Sequence, residues 1–280
     1  MDGSSQISRD RAAALGAETL GILRAGFYSS SDGSRVDLAV GLRRAAQGTA
    51  SYPPDAAPPP FVAVGRATRV TVENRTTLAV ARELADAGLR PAALNFASAR
   101  HPGGGFFSGA RAQEESLARS SGLYACLEGN PMYAYHEKRR DPLYSNYAIY
   151  SPDVPVFRED AGALLDRPYA CSVVTSPAVN AKVALERTPH AGPAIREAMQ
   201  ARVRKVLSVM AGHGHDTIIL GAWGCGAFGN DPREIAPVFR DALDGEFTGV
   251  FATVVFAIVD WSDDARFIGP FRQALAGRSP

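Results

Sequence analysis

Two adjacent carboxylates, Glu114 and Glu115, follow a run of three glycines, Gly103, Gly104 and Gly105, after an interval of seven residues and Gln113. A carboxyl group does general acid and base work when its surroundings move its pKa toward neutrality. Consecutive glycines open backbone conformations closed to other residues and let a ligand approach the main chain. Their amides, with a helix N-terminus behind them, form a nest for a phosphate or an anionic oxygen. The two acids fall in the first turn of an expected helix, where acids also serve simply to offset the helix dipole. The dipole lowers a carboxyl pKa, so burial or the neighbouring acid must raise it again before either can act as an acid. Successive helical residues diverge by about 100°, so the two carboxylates cannot share one job.

A second glycine loop follows: Gly221-Ala222-Trp223-Gly224-Cys225-Gly226-Ala227-Phe228-Gly229-Asn230-Asp231. Its GxGxxG spacing, Gly224, Gly226 and Gly229, invites a dinucleotide-binding reading and hence a nicotinamide oxidoreductase. That pattern is weak alone, and Asp260, the acid ending the next strand, lies further on than the usual spacing of about 20 residues. The loop reads better as a second phosphate cradle, with Phe228 covering a ribose or anchoring the turn and Asn230 fixing the loop.

Elements must hold these loops in place. Helices are expected over 8–26, with Ser8 as N-cap, and over 35–46. The proline-rich stretch 51–60 then marks a boundary, because proline neither continues a helix nor donates to a sheet ladder. This divides the chain into an N-terminal helical arm and linker, 1–59, and a catalytic domain, 60–280. Beyond it, strands are expected at 70–72, 91–96, 169–175, 217–220 and 251–259. Helices are expected at 76–87, closed by Gly88, and at 113–126, 193–211, 232–243 and 263–275. Residues 128–166 read as an irregular excursion with short strands. Continuous apolar strands alternating with helices indicate an α/β fold, three α/β/α layers about a mainly parallel or mixed sheet. Ligands in such sheets bind beyond the carboxyl ends of the strands, where both glycine loops fall.

Composition narrows the partners. Of 280 residues, 46% are hydrophobic and 21% charged, and 30 Lys and Arg against 29 Asp and Glu leave a formal charge of +1. A protein that tracks along a polyanion carries a basic stripe, so an anionic ligand here is gripped locally. The short run Lys138-Arg139-Arg140 reads as a solvated loop. Cys126, Cys171 and Cys225 are odd in number and widely spaced, which suggests neither a disulfide framework nor a zinc site. His213 and His215 lack a third ligand and suit a helix C-terminal loop. The N-terminus lacks a secretory h-region, and the apolar stretch 251–259 is too short to span a bilayer, so a soluble cytoplasmic protein is expected.

Taken together, the GGG, seven residues, then QEE after the Asn95-bearing strand resemble the signature of bacterial-type poly(ADP-ribose) glycohydrolases of the macrodomain superfamily. The later GAWGCGAFGNDP segment resembles that family's diphosphate loop, and the resemblance extends over 60–275, with the N-terminal helices similar to an accessory arm. The resemblance implies a macrodomain-like mixed sheet and hydrolysis of ribose–ribose bonds with Glu115 as acid, then base. It implies that Glu114 holds ribose hydroxyls and Gln113 sets the loop. Gly103, Gly104 and Gly105 would wrap the distal ribose and diphosphate, and Asn95 would contact that ribose. Gly224, Gly226 and Phe228 would embrace the ligand from the other side, with Asn230 fixing the loop. No cofactor or metal is called for. The partners are poly(ADP-ribose) or an ADP-ribosylated protein, with ADP-ribose as product and neither a membrane nor a specific nucleic acid. A monomer acting on chain ends is expected. A mono-ADP-ribosyl hydrolase and a non-catalytic ADP-ribose reader remain the alternatives.

Overall fold

The structure is a computed structural model, described over residues 7–277. Its core is a seven-stranded mixed sheet made of β3 (Ala50–Tyr52), β4 (Arg69–Glu73), β5 (Ala92–Phe96), β6 (Ala148–Arg158), β7 (Leu164–Ser176), β8 (Thr217–Leu220) and β9 (Thr253–Ala257), in the order β3-β6-β7-β5-β8-β9-β4. Strands β7, β5, β8, β9 and β4 run parallel, and β6 and β3 extend the sheet antiparallel at one side. The central strands are apolar on both faces because both are covered. Ala92, Leu94, Ile218, Leu220, Val254 and Phe256 face helices α8 (Gly192–Gly212), α9 (Pro232–Asp244) and α10 (Ile268–Ala274). The alternate residues Ala93, Ile219, Val255 and Ala257 face α3 (Thr77–Asp86), α4 (Gln113–Ser120), α5 (Leu123–Leu127) and α6 (Pro131–Arg139). This period of two on a doubly covered sheet is the three-layer, macrodomain-like arrangement expected from the sequence.

Several elements form as their local chemistry dictates. Helix α1 (Arg9–Ala25) starts at Ser8, whose side chain accepts from the Arg11 amide, and stops at Gly26 in the left-handed region. Helix α3 starts at Thr76, whose hydroxyl accepts from the Ala79 amide. Others differ from expectation. Residues 35–46 are not one helix: Arg35–Asp37 is β2, paired with β1 (Phe27–Ser29), and α2 runs only over Ala39–Gln47. The helix expected over 113–126 breaks at Ser121, which is extended and bridges Val156, while the Gly122 amide donates to the Pro155 carbonyl. Residues 128–166 contain α6, strand β6 and the turn into β7, which pairs with β6 as a long hairpin. Helix α7 (Ala181–Arg187) has no counterpart in the sequence reading, and α10 begins five residues later than the sequence suggests.

The N-terminal segment is woven into the rest. Strand β3 pairs with β6 in the main sheet, and α2 packs on β6. Helix α1 lies against the first glycine loop: its Arg9 Nε donates to the Ser108 carbonyl, and Thr19 Oγ1 donates to the Arg119 carbonyl at 2.5 Å. Buried Arg158 ties the same helix to the β6–β7 hairpin through Glu18 at 3.0 Å. No helix among the described residues is long and apolar enough to cross a membrane.

Candidate active site

Beyond the carboxyl end of β5 the chain turns into the first glycine loop. The Ser98 hydroxyl accepts from the Arg100 and His101 amides at 3.3 and 3.1 Å, and the Gly104 amide donates to the His101 carbonyl at 2.9 Å. Gly103 and Gly104 hold φ of 69° and 61°, the left-handed region that penalises other residues. Gly104 has a second reason to lack a side chain. A Cβ there would press on Glu115 Oε1 and stand 2.9 Å from Glu114 Oε2. The triple glycine thus lets the main chain lie directly on both carboxylates.

The two acids are buried and differently held. Glu115 Oε1 accepts from the Gly105 amide at 2.9 Å, while its Oε2 is buried without a hydrogen-bond partner. Glu114 Oε2 accepts from the Ser98 amide at 2.6 Å, and Oε1 is 3.4 Å from Asn95 Nδ2. Burial pushes the Glu114 carboxyl up to about 8, and the Glu115 charge adds to the rise against hydrogen bonds from Ser98, Asn95 and Gly103. The helix-dipole effect is therefore outweighed at Glu114, which keeps its proton at neutral pH. Arg119, buried one turn beyond Glu115, donates to the Ala110 carbonyl and the Ser116 hydroxyl and supplies the nearby positive charge.

Gln113 and Asn95 support this pair. Gln113 Oε1 accepts from the Phe96 amide at 2.9 Å, and its Nε2 donates to the Leu94 carbonyl at 2.7 Å and the Thr77 hydroxyl at 3.2 Å. One amide side chain thus staples α4 to β5 and α3. Asn95 is wholly buried, donates to Thr175 Oγ1 at 3.2 Å, and lies beneath Glu114 with its Oδ1 unpartnered.

The second glycine loop joins β8 to α9. Asn230 Nδ2 donates to the Val179 carbonyl at 2.7 Å and the Gly224 carbonyl at 3.1 Å, closing the loop on itself. Gly224 is left-handed, and a Cβ there would meet Asn230 Nδ2 at 2.5 Å and Ala178 at 2.6 Å. Gly226 meets nothing within 4 Å on its open side, which leaves its main chain accessible to a ligand. Phe228 is half-buried, packs on the main core and lies 6.0 Å from the Tyr144 ring. Asp260 is not free to hold a ribose: its carboxylate accepts from the Ser262, Phe267 and Ile268 amides and caps the turn before α10. That removes the acid a dinucleotide-binding reading needs.

A cavity of about 580 Å³ takes in Gln113 and Gly226 of the expected site residues, while Asn95, Glu114, Glu115, the triple glycine, Gly224, Phe228 and Asn230 are not part of its lining. Phe96, Gln113, Ala222 and Gly226 line it on the loop side; Thr76, Thr77, Ile258 and Trp261 line it on the side of α3 and β9. Sequence reasoning missed these last residues because no motif marks them. The one available signal was Trp261, a large aromatic, 63% exposed, placed just past a buried strand. His213 and His215 lie elsewhere, on Tyr52 and Tyr150, and the three cysteines are free and buried. Among the described residues, no group of three or more His, Cys, Asp and Glu could hold a metal ion.

The family model described as "Microbial-type PARG, catalytic domain", PARG being poly(ADP-ribose) glycohydrolase, matches residues 16–159. The crystal structure of poly(ADP-ribose) glycohydrolase from Thermomonospora curvata is similar, with 45% identity, a TM-score of 0.88, and coverage of 95% of this chain and 99% of that one. The same enzyme bound to the inhibitor ADP-HPD is 47% identical, with a TM-score of 0.87 and coverage of 94% and 99%. The Deinococcus radiodurans glycohydrolase in complex with ADP-ribose is 40% identical, with a TM-score of 0.78 and coverage of 84% and 97%. Comparison with curated proteins gives no match. The match of the family model to more than half the chain, and the identity sustained over nearly all of it, place the chain in the microbial-type poly(ADP-ribose) glycohydrolase family.

Proposed function

We infer that the chain is a glycoside hydrolase that cleaves the ribose–ribose O-glycosidic bonds of poly(ADP-ribose) and releases ADP-ribose. Family membership and the similar inhibitor- and ADP-ribose-bound structures support this reading. The observation that carries it within the chain is Glu115: one carboxylate oxygen anchored by the glycine loop, the other buried and unpartnered beside it. A buried polar atom without a partner costs free energy unless a ligand completes it.

In this reading Glu115 protonates the oxygen that leaves the anomeric carbon, as the bonding pair passes to that oxygen and an oxocarbenium-like centre develops. Glu115 as carboxylate then takes a proton from water, whose oxygen bonds the anomeric carbon, restoring the acid. Glu114, neutral at pH 7, holds ribose hydroxyls. Gly103, Gly104 and Gly105 wrap the distal ribose. Gly224 and Gly226 offer main chain to the diphosphate, Phe228 covers the ribose, and Asn95, Gln113 and Asn230 hold the framework. The cavity beside Phe96, Ile258 and Trp261 is apolar enough for the adenine. A pocket for one terminal ADP-ribose favours release from chain ends. The three reduced, buried thiols suit a cytoplasmic setting.

The test is ADP-ribose release from purified poly(ADP-ribose) by wild type and by Glu115→Gln. The expected result is a loss of turnover of about 10²–10⁴-fold with ADP-ribose affinity retained. Tight ADP-ribose binding without release by wild type would make the chain a reader and overturn the hydrolase reading.

A further inference from the structure

We propose that a cationic surface beside Phe228 is a second subsite, which holds the diphosphate of the polymer unit on the leaving side of the scissile bond. The proposal rests on the glycohydrolase reading and extends it from one ADP-ribose to two. The leaving oxygen belongs to the adenosine ribose of the next unit, so that unit's diphosphate is only one ribose away from the reacting carbon. Whatever surface borders the distal ribose must therefore meet two further negative charges.

The structure places cations beside Phe228, the residue that covers the ribose in this reading, from two separate elements. Helix α6 ends in exposed Lys138, Arg139 and Arg140, and Arg140 adopts a left-handed conformation that turns the chain toward Tyr144. Tyr144 packs on Phe228 at 6.0 Å and on His136 at 5.7 Å. Helix α7 brings exposed Lys182, whose amide donates to the Phe228 carbonyl at 2.9 Å, and Arg187, whose guanidinium donates to the Arg140 carbonyl at 3.1 Å. That last bond fixes the ends of α6 and α7 together, so the charges converge although they are far apart in sequence.

The local acids do not cancel them. Asp141 pairs with Arg139 at 3.7 Å, and Asp231 pairs with Arg233 at 2.7 Å. Glu137 and Glu186 are exposed on the same helices, yet among the described residues no ion pair engages Lys138, Arg140, Lys182 or Arg187. A chain with a formal charge of only +1 thus keeps cations without an ion pair beside Phe228. Several exposed cations on two elements suit a diphosphate, whose charge is spread over two phosphates, better than a single point charge.

The experiment compares wild type with the triple variant Lys138→Gln, Arg140→Asn, Lys182→Gln on two substrates across a range of salt. One is poly(ADP-ribose). The other is a single ADP-ribose joined through its distal ribose to the 2′-oxygen of unphosphorylated adenosine, which lacks the second diphosphate. On polymer, kcat/KM of the variant should fall about 5–10-fold at low salt, with kcat unchanged. Its log–log salt slope should flatten by roughly 0.7 for each phosphate that the variant no longer neutralises. On the diphosphate-free substrate the two proteins should be equal. Equal salt slopes and equal KM on polymer would overturn the subsite while leaving the hydrolase reading intact. A loss of equal size on both substrates would overturn it too, by showing a disturbed first site. A wild type that cleaves neither substrate would overturn the hydrolase reading and the subsite with it.

Discussion

Gly104 is held in a left-handed conformation with both carboxylates against it. Gly104→Ala introduces a conformational penalty of about 1–2 kcal/mol and a methyl group where Glu115 Oε1 now sits. The backbone can absorb the first of these. The second requires Glu115 to move, and a displacement near 1 Å at a reacting group costs about 10²-fold in rate. We therefore expect Gly104→Ala to lower kcat by about two orders of magnitude while changing the melting temperature by only a few degrees, measured by turnover and thermal denaturation. A fall in stability with kcat preserved would show that the glycine serves the fold rather than the acid. The glycines and the glutamates are legible in the sequence as a pair of motifs. Their division of labour is not, because it depends on which amide reaches which oxygen: Ser98 to Glu114, Gly105 to Glu115.

At the scale of elements, the sequence is legible where local chemistry decides and misleading where residues distant in the chain override it. Helix α1 is readable because Ser8 and Gly26 cap it and no tertiary packing contradicts them. The break between α4 and α5 is marked locally only by Ser121-Gly122, a weak stop that a continuous helical reading passes over. Val156 and Pro155, reaching in from β6, hold it open. Strand β6 is hidden by Pro152 and Pro155, which argue against a central strand. The structure accommodates both: β3 pairs only with residues 148–150, and the register shifts between Ser151 and Val154, so the prolines lie past the reach of β3. Helix α1 has a task that its sequence does not announce. A Cβ on its Gly16 would stand 2.8 Å from the Phe106 carbonyl, so the helix presses on the glycine loop from behind. Gly16→Val should push the two apart, lowering melting temperature and turnover together, with Glu115 no longer aligned. Full activity at reduced stability would separate the helix from the site.

For the whole molecule, two buried groups shape stability against pH from opposite sides. The Glu114 carboxyl, pushed up to about 8 by burial, stays protonated in the folded chain while the unfolded chain ionises near 4.5. Stability from this group is complete below about 4.5 and declines as pH rises toward 8. His136 acts in the other direction: burial, with Arg202 and Arg139 nearby, holds its pKa down to about 4, so stability is lost as pH falls from 6.5 toward 4. Wild type should therefore lose melting temperature between pH 4.5 and 8 relative to Glu114→Gln, which cannot ionise. A variant whose profile parallels wild type through that window would show that Glu114 is not the group responsible.

The order of strands carries a last consequence, for how the chain is made. The edge strand β4, residues 69–73, pairs only with β9, residues 253–257, and central β5 must wait for β7 and β8 on either side. During synthesis the first half of the sheet therefore leaves the ribosome long before its partners exist. Such non-local pairing makes folding slow, and it leaves apolar edges open to other chains in the interval. A nascent chain halted before residue 253 can pair β3, β6, β7, β5 and β8, but it leaves β4 without a partner and the β8 edge bare, the exposed apolar edge that chaperones and aggregates take up.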